Sequence, residues 1–158
     1  MNSILENPHK ETTAPPNNVE GNRSPCIMVV EDDALLRDLT TEALAHAGFQ
    51  VDFAENGVRA WKALHLKRYD LLITDNNMPK MTGLQLVRKL RSAGIELPVV
   101  LASGSQLEDT VLMDAMLNFA AVIPKPFTLE ELIATVKKVL VTSKCNHNNP
   151  ENSSKPGG

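Results

Sequence analysis

Leu71-Leu72-Ile73-Thr74-Asp75-Asn76-Asn77-Met78-Pro79-Lys80-Met81-Thr82-Gly83 is the stretch on which the fold turns. Its apolar start includes a β-branched residue, is too short for a helix and is flanked by turn formers, the pattern of a strand buried on both faces. The run ends on a carboxylate, Asp75. Met78-Pro79 and Gly83 then force a sharp turn, because proline fixes φ and glycine admits backbone angles closed to other residues. Asp75 is thereby held at the mouth of a sheet. Aspartate also fills ordinary turn positions, so its role depends on what the other strands bring beside it.

Upstream, Ile27-Met28-Val29-Val30 is a second short apolar run and also ends in acid, Glu31-Asp32-Asp33. The period then changes: Leu36, Leu39, Ala43, Leu44 and Ala47 fall on one helical face before Gly48 closes the helix. Gln50 to Ala54 alternates polar and apolar, as a half-exposed edge strand does. A short helix follows with Val58, Trp61 and Leu64 inward. Beyond the Asp75 turn, Thr82 can cap a helix carrying Leu84, Val87 and either Leu90 or Leu86, ended by Gly94. Pro98 to Ala102 is the fourth strand, closing on Ser103-Gly104-Ser105, and a Met-containing helix spans roughly 107 to 117. Ala120 to Ile123 is the fifth strand, and Pro124-Lys125-Pro126-Phe127 follows it. Thr128 and Glu131 form a capping box for a last helix striped by Leu129, Leu132, Ile133, Val136 and Leu140.

Five strands alternating with five helices make an α/β fold. Its sheet is parallel and covered on both faces, since each right-handed crossover needs a helix to return the chain. The alternation in the second strand puts it at an edge and gives the order 2-1-3-4-5, doubly wound. The crevice then lies between the carboxyl ends of strands one and three, where open α/β sheets place ligands. One folded unit is expected over 26–141. Residues 1–25 and 142–158 are rich in Pro, Asn, Thr and Ser and too poor in apolar side chains to offset ordering entropy, so both are expected as disordered tails.

The net charge of −3 offers no basic field for nucleic-acid phosphates, which argues against direct DNA or RNA binding. Cys26 and Cys145 form no framework or metal spacing, and the four histidines form no ligand pair. No apolar run approaches the length of a membrane span and no signal-peptide core opens the chain, so a cytoplasmic protein is expected.

The strand ends now assemble a site. Strand one delivers Glu31 and Asp32, strand three Asp75, strand four Ser103, and strand five leads to Lys125. Carboxylates about 4 Å apart repel by roughly 4 kcal/mol per pair at an effective dielectric near 20. Lys125 neutralises only part of that. Hard oxygen ligands with no His or Cys beside them select Mg2+ or a similar cation. A cation facing an aspartate, with a hydroxyl and an ammonium opposite, suits phosphoryl transfer to that aspartate. Asp75 is then the nucleophile, and Ser103 and Lys125 hold the phosphoryl oxygens.

In combination, Val29-Val30-Glu31-Asp32-Asp33, Asp75-Asn76-Asn77-Met78-Pro79 with Gly83, Ser103-Gly104 and Lys125-Pro126-Phe127 resemble the receiver domain of bacterial two-component response regulators, over about residues 26 to 141. The resemblance implies a flavodoxin-like fold with Asp75 as phospho-acceptor, Asp32 as a direct magnesium ligand, Glu31 as an acidic partner and the Asn77 carbonyl as a further ligand. It also implies a cis Lys125-Pro126 bond. One position departs from the pattern: the family usually carries an aromatic residue three places before its lysine, and here Val122 stands there.

The functional expectation is a phospho-acceptor signalling domain, with at most self-catalysed phosphotransfer and autodephosphorylation. A histidine kinase supplies the phosphoryl group. A downstream effector protein reads the state through the face of the fourth helix, fifth strand and fifth helix, with Val111, Met113, Met116 and Leu117 as contacts, and the same face is open to pairing with a second copy. Val122 motivates an alternative, a phosphorylation-independent adaptor that retains the site without using it. Phosphatases of the haloacid dehalogenase type fit poorly, because Asn77 stands where they need a second aspartate.

Overall fold

A computed structural model of the protein describes residues 23–104 and 114–147. Five parallel strands, β1 (Cys26–Val30), β2 (Gln50–Ala54), β3 (Leu71–Asp75), β4 (Val99–Ser103) and β5 (Ala121–Pro124), form one sheet in the order β2-β1-β3-β4-β5. The register places Val30 beside both Ala54 and Thr74, Asp75 beside Ala102, and Ser103 beside Pro124. The acid-bearing ends of β1 and β3 are therefore neighbours, on the side of the sheet where the order reverses.

Helices α1 (Ala34–His46), α2 (Gly57–Leu66), α3 (Gly83–Ser92) and α4 (Leu129–His147) cover the two faces. Because side chains alternate along a strand, β1 sends Ile27 and Val29 into a core with Leu44 of α1 and Leu132 and Val136 of α4. Met28 and Val30 point the other way, into a core with Ala60 of α2 and Leu86, Val87 and Leu90 of α3. β1, β3 and β4 are buried at every residue, as their unbroken apolar runs require. β2 is an edge strand as expected, yet Phe53 is 57% exposed, and its ring lies under the Arg37 guanidinium at 5.2 Å.

Four details differ from the sequence reading. In α1 the inward positions are Thr40 and Leu44, and Leu39 is 45% exposed, because the helix rolls onto the β-branched Thr40 rather than onto the leucine. Most of the helix expected at 107–117 lies outside the described residues. Its last four positions form a turn in which the Leu117 N–H donates to the Asp114 carbonyl, and Leu117 is fully buried, which removes it from the outer face. The last helix continues to His147, past the boundary set at 141. Val139 and Leu140 extend its buried stripe, and the Thr142 and Ser143 hydroxyls donate to the carbonyls four residues back. The remaining tail residues, 1–22 and 148–158, lie outside the described residues. Among the described residues no helix is long and apolar enough to cross a membrane.

Candidate functional site

The β3–α3 connection shapes the site. Asp75 closes β3 and is buried, and the Asn77 N–H donates to its Oδ1 at 3.3 Å. The chain doubles back through Met78-Pro79, with Lys80 at φ +68°, until the Gly83 N–H reaches the Asn76 carbonyl. Thr82 and Gln85 then form a reciprocal capping box that starts α3. A side chain at position 83 has no room: its Cβ would run into the Asp75 carbonyl group. The Pro-Lys-Met-Thr-Gly sequence thus fixes Asp75 from behind while leaving its carboxylate facing the crevice.

β1 delivers the other acids. The Glu31 N–H is tied to the Ala54 carbonyl, and the Asp33 N–H donates to Glu31 Oε1 at 3.1 Å. Asp33 itself caps α1, accepting from the Leu36 N–H, and so is turned away from the site. Glu31 is buried, Asp32 is exposed, and one oxygen from each of Glu31, Asp32 and Asp75 lies within 4.8 Å of the others. Lys125 enters from β5. Its peptide N–H donates to the Ser103 carbonyl, the Lys125-Pro126 bond is cis, and Nζ lies 3.1 Å from Asp75 Oδ2 and 3.4 Å from Glu31 Oε2. Ser103 is buried at the end of β4. The chain therefore brings Glu31, Asp32, Asp75 and Lys125 together, with the Asn77 N–H bonded to Asp75 and the Ser103 carbonyl bonded to the backbone of Lys125.

Burial pushes the Glu31 carboxyl above its ordinary value, helped by the neighbouring Asp75 and Asp32 and opposed by the Asp33 N–H and Lys125. For Lys125 burial disfavours the charge, yet the hydrogen bond to Asp75 and the attraction of Glu31 outweigh it and hold the ammonium above its usual range. Three carboxylates face one ammonium. An all-oxygen set of this size carrying excess negative charge fits a hard divalent cation such as Mg2+. The sequence reading did not single out Arg37 and Lys80, which line a pocket of about 380 Å3 bounded also by Asp32. Neither carries a sequence signal that ties it to the site: Arg37 is simply the fourth residue of α1, and the left-handed turn at Lys80 emerges only in the fold.

Sheet order, acids at the switch point and a lysine from the edge strand define a doubly wound α/β domain built around an acidic, cation-ready crevice. A model of the response regulator receiver domain matches residues 27–137, and the chain belongs to that family of two-component signalling domains. It is 37% identical over 120 residues to response regulator MprA of Mycobacterium ulcerans, an alignment covering 75% of this chain and 51% of that protein. The MprA of Mycobacterium leprae is 36% identical over the same length. The chain thus spans about half the length of these curated relatives. Among solved structures, chemotaxis protein CheY4 of Vibrio cholerae superposes with a TM-score of 0.68 at 25% identity, covering 74% of this chain and 99% of that one. The receiver domain of a signal transduction histidine kinase from Syntrophus aciditrophicus gives 0.69 at 27% identity, covering 84% and 100%.

Proposed function

We propose that Asp75 accepts a phosphoryl group from the phosphohistidine of a histidine kinase. The observation that carries this reading is Lys125 Nζ at 3.1 Å from Asp75 Oδ2, within an oxygen trio spanning no more than 4.8 Å. An Asp75 oxygen attacks phosphorus in line as the P–N bond breaks. The bonding pair leaves on the imidazole nitrogen, which is protonated, and an acyl phosphate remains on Asp75. Glu31, Asp32 and Asp75, with the Asn77 carbonyl, would hold Mg2+, which supplies positive charge to the phosphoryl oxygens when bound. Lys125 neutralises the acceptor before transfer and pairs with a phosphoryl oxygen afterwards. The Ser103 hydroxyl donates to another, a contribution on the order of a hundredfold for a donor aimed at developing charge.

A small phosphodonor such as phosphoramidate, with Mg2+ present, is expected to label the wild-type chain and to leave Asp75→Asn unlabelled in intact-mass spectra. Equal labelling of both would refute the assignment. The phosphorylated state is read by a downstream protein on the face made by β5, α4 and the segment before β5, where Met116 and Val122 are exposed.

Val122 supports a second reading, a partner-binding adaptor indifferent to phosphorylation, because a valine on edge strand β5 has no swing comparable to an aromatic ring. That adaptor binds its partner equally before and after phosphoramidate treatment. A shift in affinity on modification excludes it.

A further inference from the structure

The pocket lined by Asp32, Arg37, Glu55, Asn56 and Lys80 opens beside the acid trio and shares Asp32 with it. Its wall is charge-balanced by count but not by pairing. Glu55 is engaged by Arg59 at 3.1 Å, and the Asn56 side-chain oxygen is used to cap α2. Asp32 belongs to the trio. Arg37 and Lys80, by contrast, pair with no carboxylate among the described residues. Arg37 is fixed in place: it donates to the Glu31 carbonyl at 3.1 Å and lies over the Phe53 ring, and its buried Nε has no hydrogen-bond partner among the described residues. Lys80 is held at the rim by a left-handed backbone, a conformation unfavourable for a residue with a Cβ and found chiefly where the surrounding structure imposes it.

We infer that Arg37 and Lys80 form an anion notch that recognises a carboxylate carried by the phosphodonor alongside its phosphoryl group, making both residues specificity determinants for transfer to Asp75. This rests on the Asp75 reading above. The notch is too polar for an apolar ligand, Glu55 and Asn56 are engaged elsewhere, and two cations on its wall without a carboxylate partner among the described residues favour an anionic group. Lying beside the trio, the notch leaves the transferred phosphoryl group to Lys125 and the cation and reads what the phosphoryl group is attached to. The carboxylate has two sources, a side chain beside the donor histidine of a protein or the tail of a small acyl phosphate.

Two pairs of probes separate them. Succinyl phosphate is compared with acetyl phosphate, and a phosphohistidine peptide with Glu beside the phosphohistidine is compared with its Gln counterpart, all with Mg2+ and with labelling of Asp75 followed by mass. The wild-type chain is expected to favour the carboxylate-bearing member of at least one pair by about two- to fivefold per exposed cation engaged. Arg37→Gln and Lys80→Gln each lower that ratio, and Lys80→Glu drives it below one. A preference in the acyl phosphates alone assigns a small-molecule donor, and one in the peptides alone a protein donor. Ratios of one in both pairs for the wild-type chain overturn the notch while leaving Asp75 as acceptor, and preferences untouched by the three substitutions overturn it as well. Failure of every donor to label the wild-type chain removes the Asp75 reading and the notch with it. Because each readout is a ratio within one variant, a variant labelled by acetyl phosphate has reported its own fold.

Discussion

Gly83 contributes by what it lacks. A methyl group there would overlap the Asp75 carbonyl, which is backbone and cannot swing aside, and would sit 3.1 Å from the Asn76 Cα. Gly83→Ala is therefore expected to cost about 3 kcal/mol, at the upper end of overpacking penalties, seen as a lower urea midpoint. On the proposed reading, labelling of Asp75 falls with it, since its carboxylate is displaced. Asp52 shows a different residue-scale effect. It accepts from Lys67 Nζ and from the Tyr69 hydroxyl, each at 2.8 Å, and the Lys67 hydrogen bond first, then Tyr69, draw its carboxyl below its ordinary 3.8 despite partial burial. A depressed carboxyl stabilises the fold above its unfolded pKa and loses that contribution as pH falls through the folded one. Asp52→Asn is thus less stable than wild type at pH 7, and urea titrations carried downward in pH show the gap narrowing below 3.8; a widening gap would contradict the assignment. Asp75, Glu31, Asp32 and Lys125 were all legible in the sequence because strand ends and turn residues place them. Arg37, Lys80 and Asp52 were not, since each depends on which surfaces meet across elements far apart in sequence.

At the scale of elements, the legible part was whatever period and caps specify. The apolar runs of β1, β3 and β4, the cap at Thr82 and the capping box at Thr128 read directly, while the return bond from Gln85 that completes a box at Thr82 emerges only in the fold. Two things misled. α1 carries leucines on both its faces, so the pattern alone could not choose between Leu39 and Thr40. The segment before β5 is short and Met-rich, where a buried anchor looks like a surface contact. Leu117 is fully buried among Leu86, Val87 and Leu90 of α3, and Arg91 donates to its carbonyl and to those of Ile95, Leu97 and Asn118, stitching the turn to the end of α3. Met116 beside it is 66% exposed. Leu117→Ala is expected to cost about 3 kcal/mol through the cavity it leaves, and Met116→Ala to stay within about 0.5 kcal/mol. Chemical denaturation of the two variants checks this, and comparable losses would mean the turn is not anchored by Leu117.

For the whole molecule, the sheet order concentrates like charge at one point, and that has a consequence for stability. Glu31 and Asp75 share one ammonium and Asp32 lies beside them with no cation of its own among the described residues, so the fold carries a repulsion that a divalent cation would relieve. Two effects of opposite sign follow when one acid is neutralised. Without added Mg2+, Asp32→Asn removes part of the repulsion and is expected to raise stability by about 1 kcal/mol, a value kept small because Asp32 is exposed and screened. With Mg2+ at tenfold its dissociation constant, wild type gains about 1.4 kcal/mol from ligand binding to the native state alone. For a domain of this size that is a rise in Tm of about 4 to 8 °C. Asp32→Asn loses most of that rise at the same Mg2+ concentration. Thermal melts of both proteins with and without Mg2+ measure all four quantities. A wild-type chain that ignores Mg2+, or a variant that gains as much as wild type, would mean that the three carboxylates are not where the ion binds, and the repulsion must then be offset by Lys125 and solvent alone.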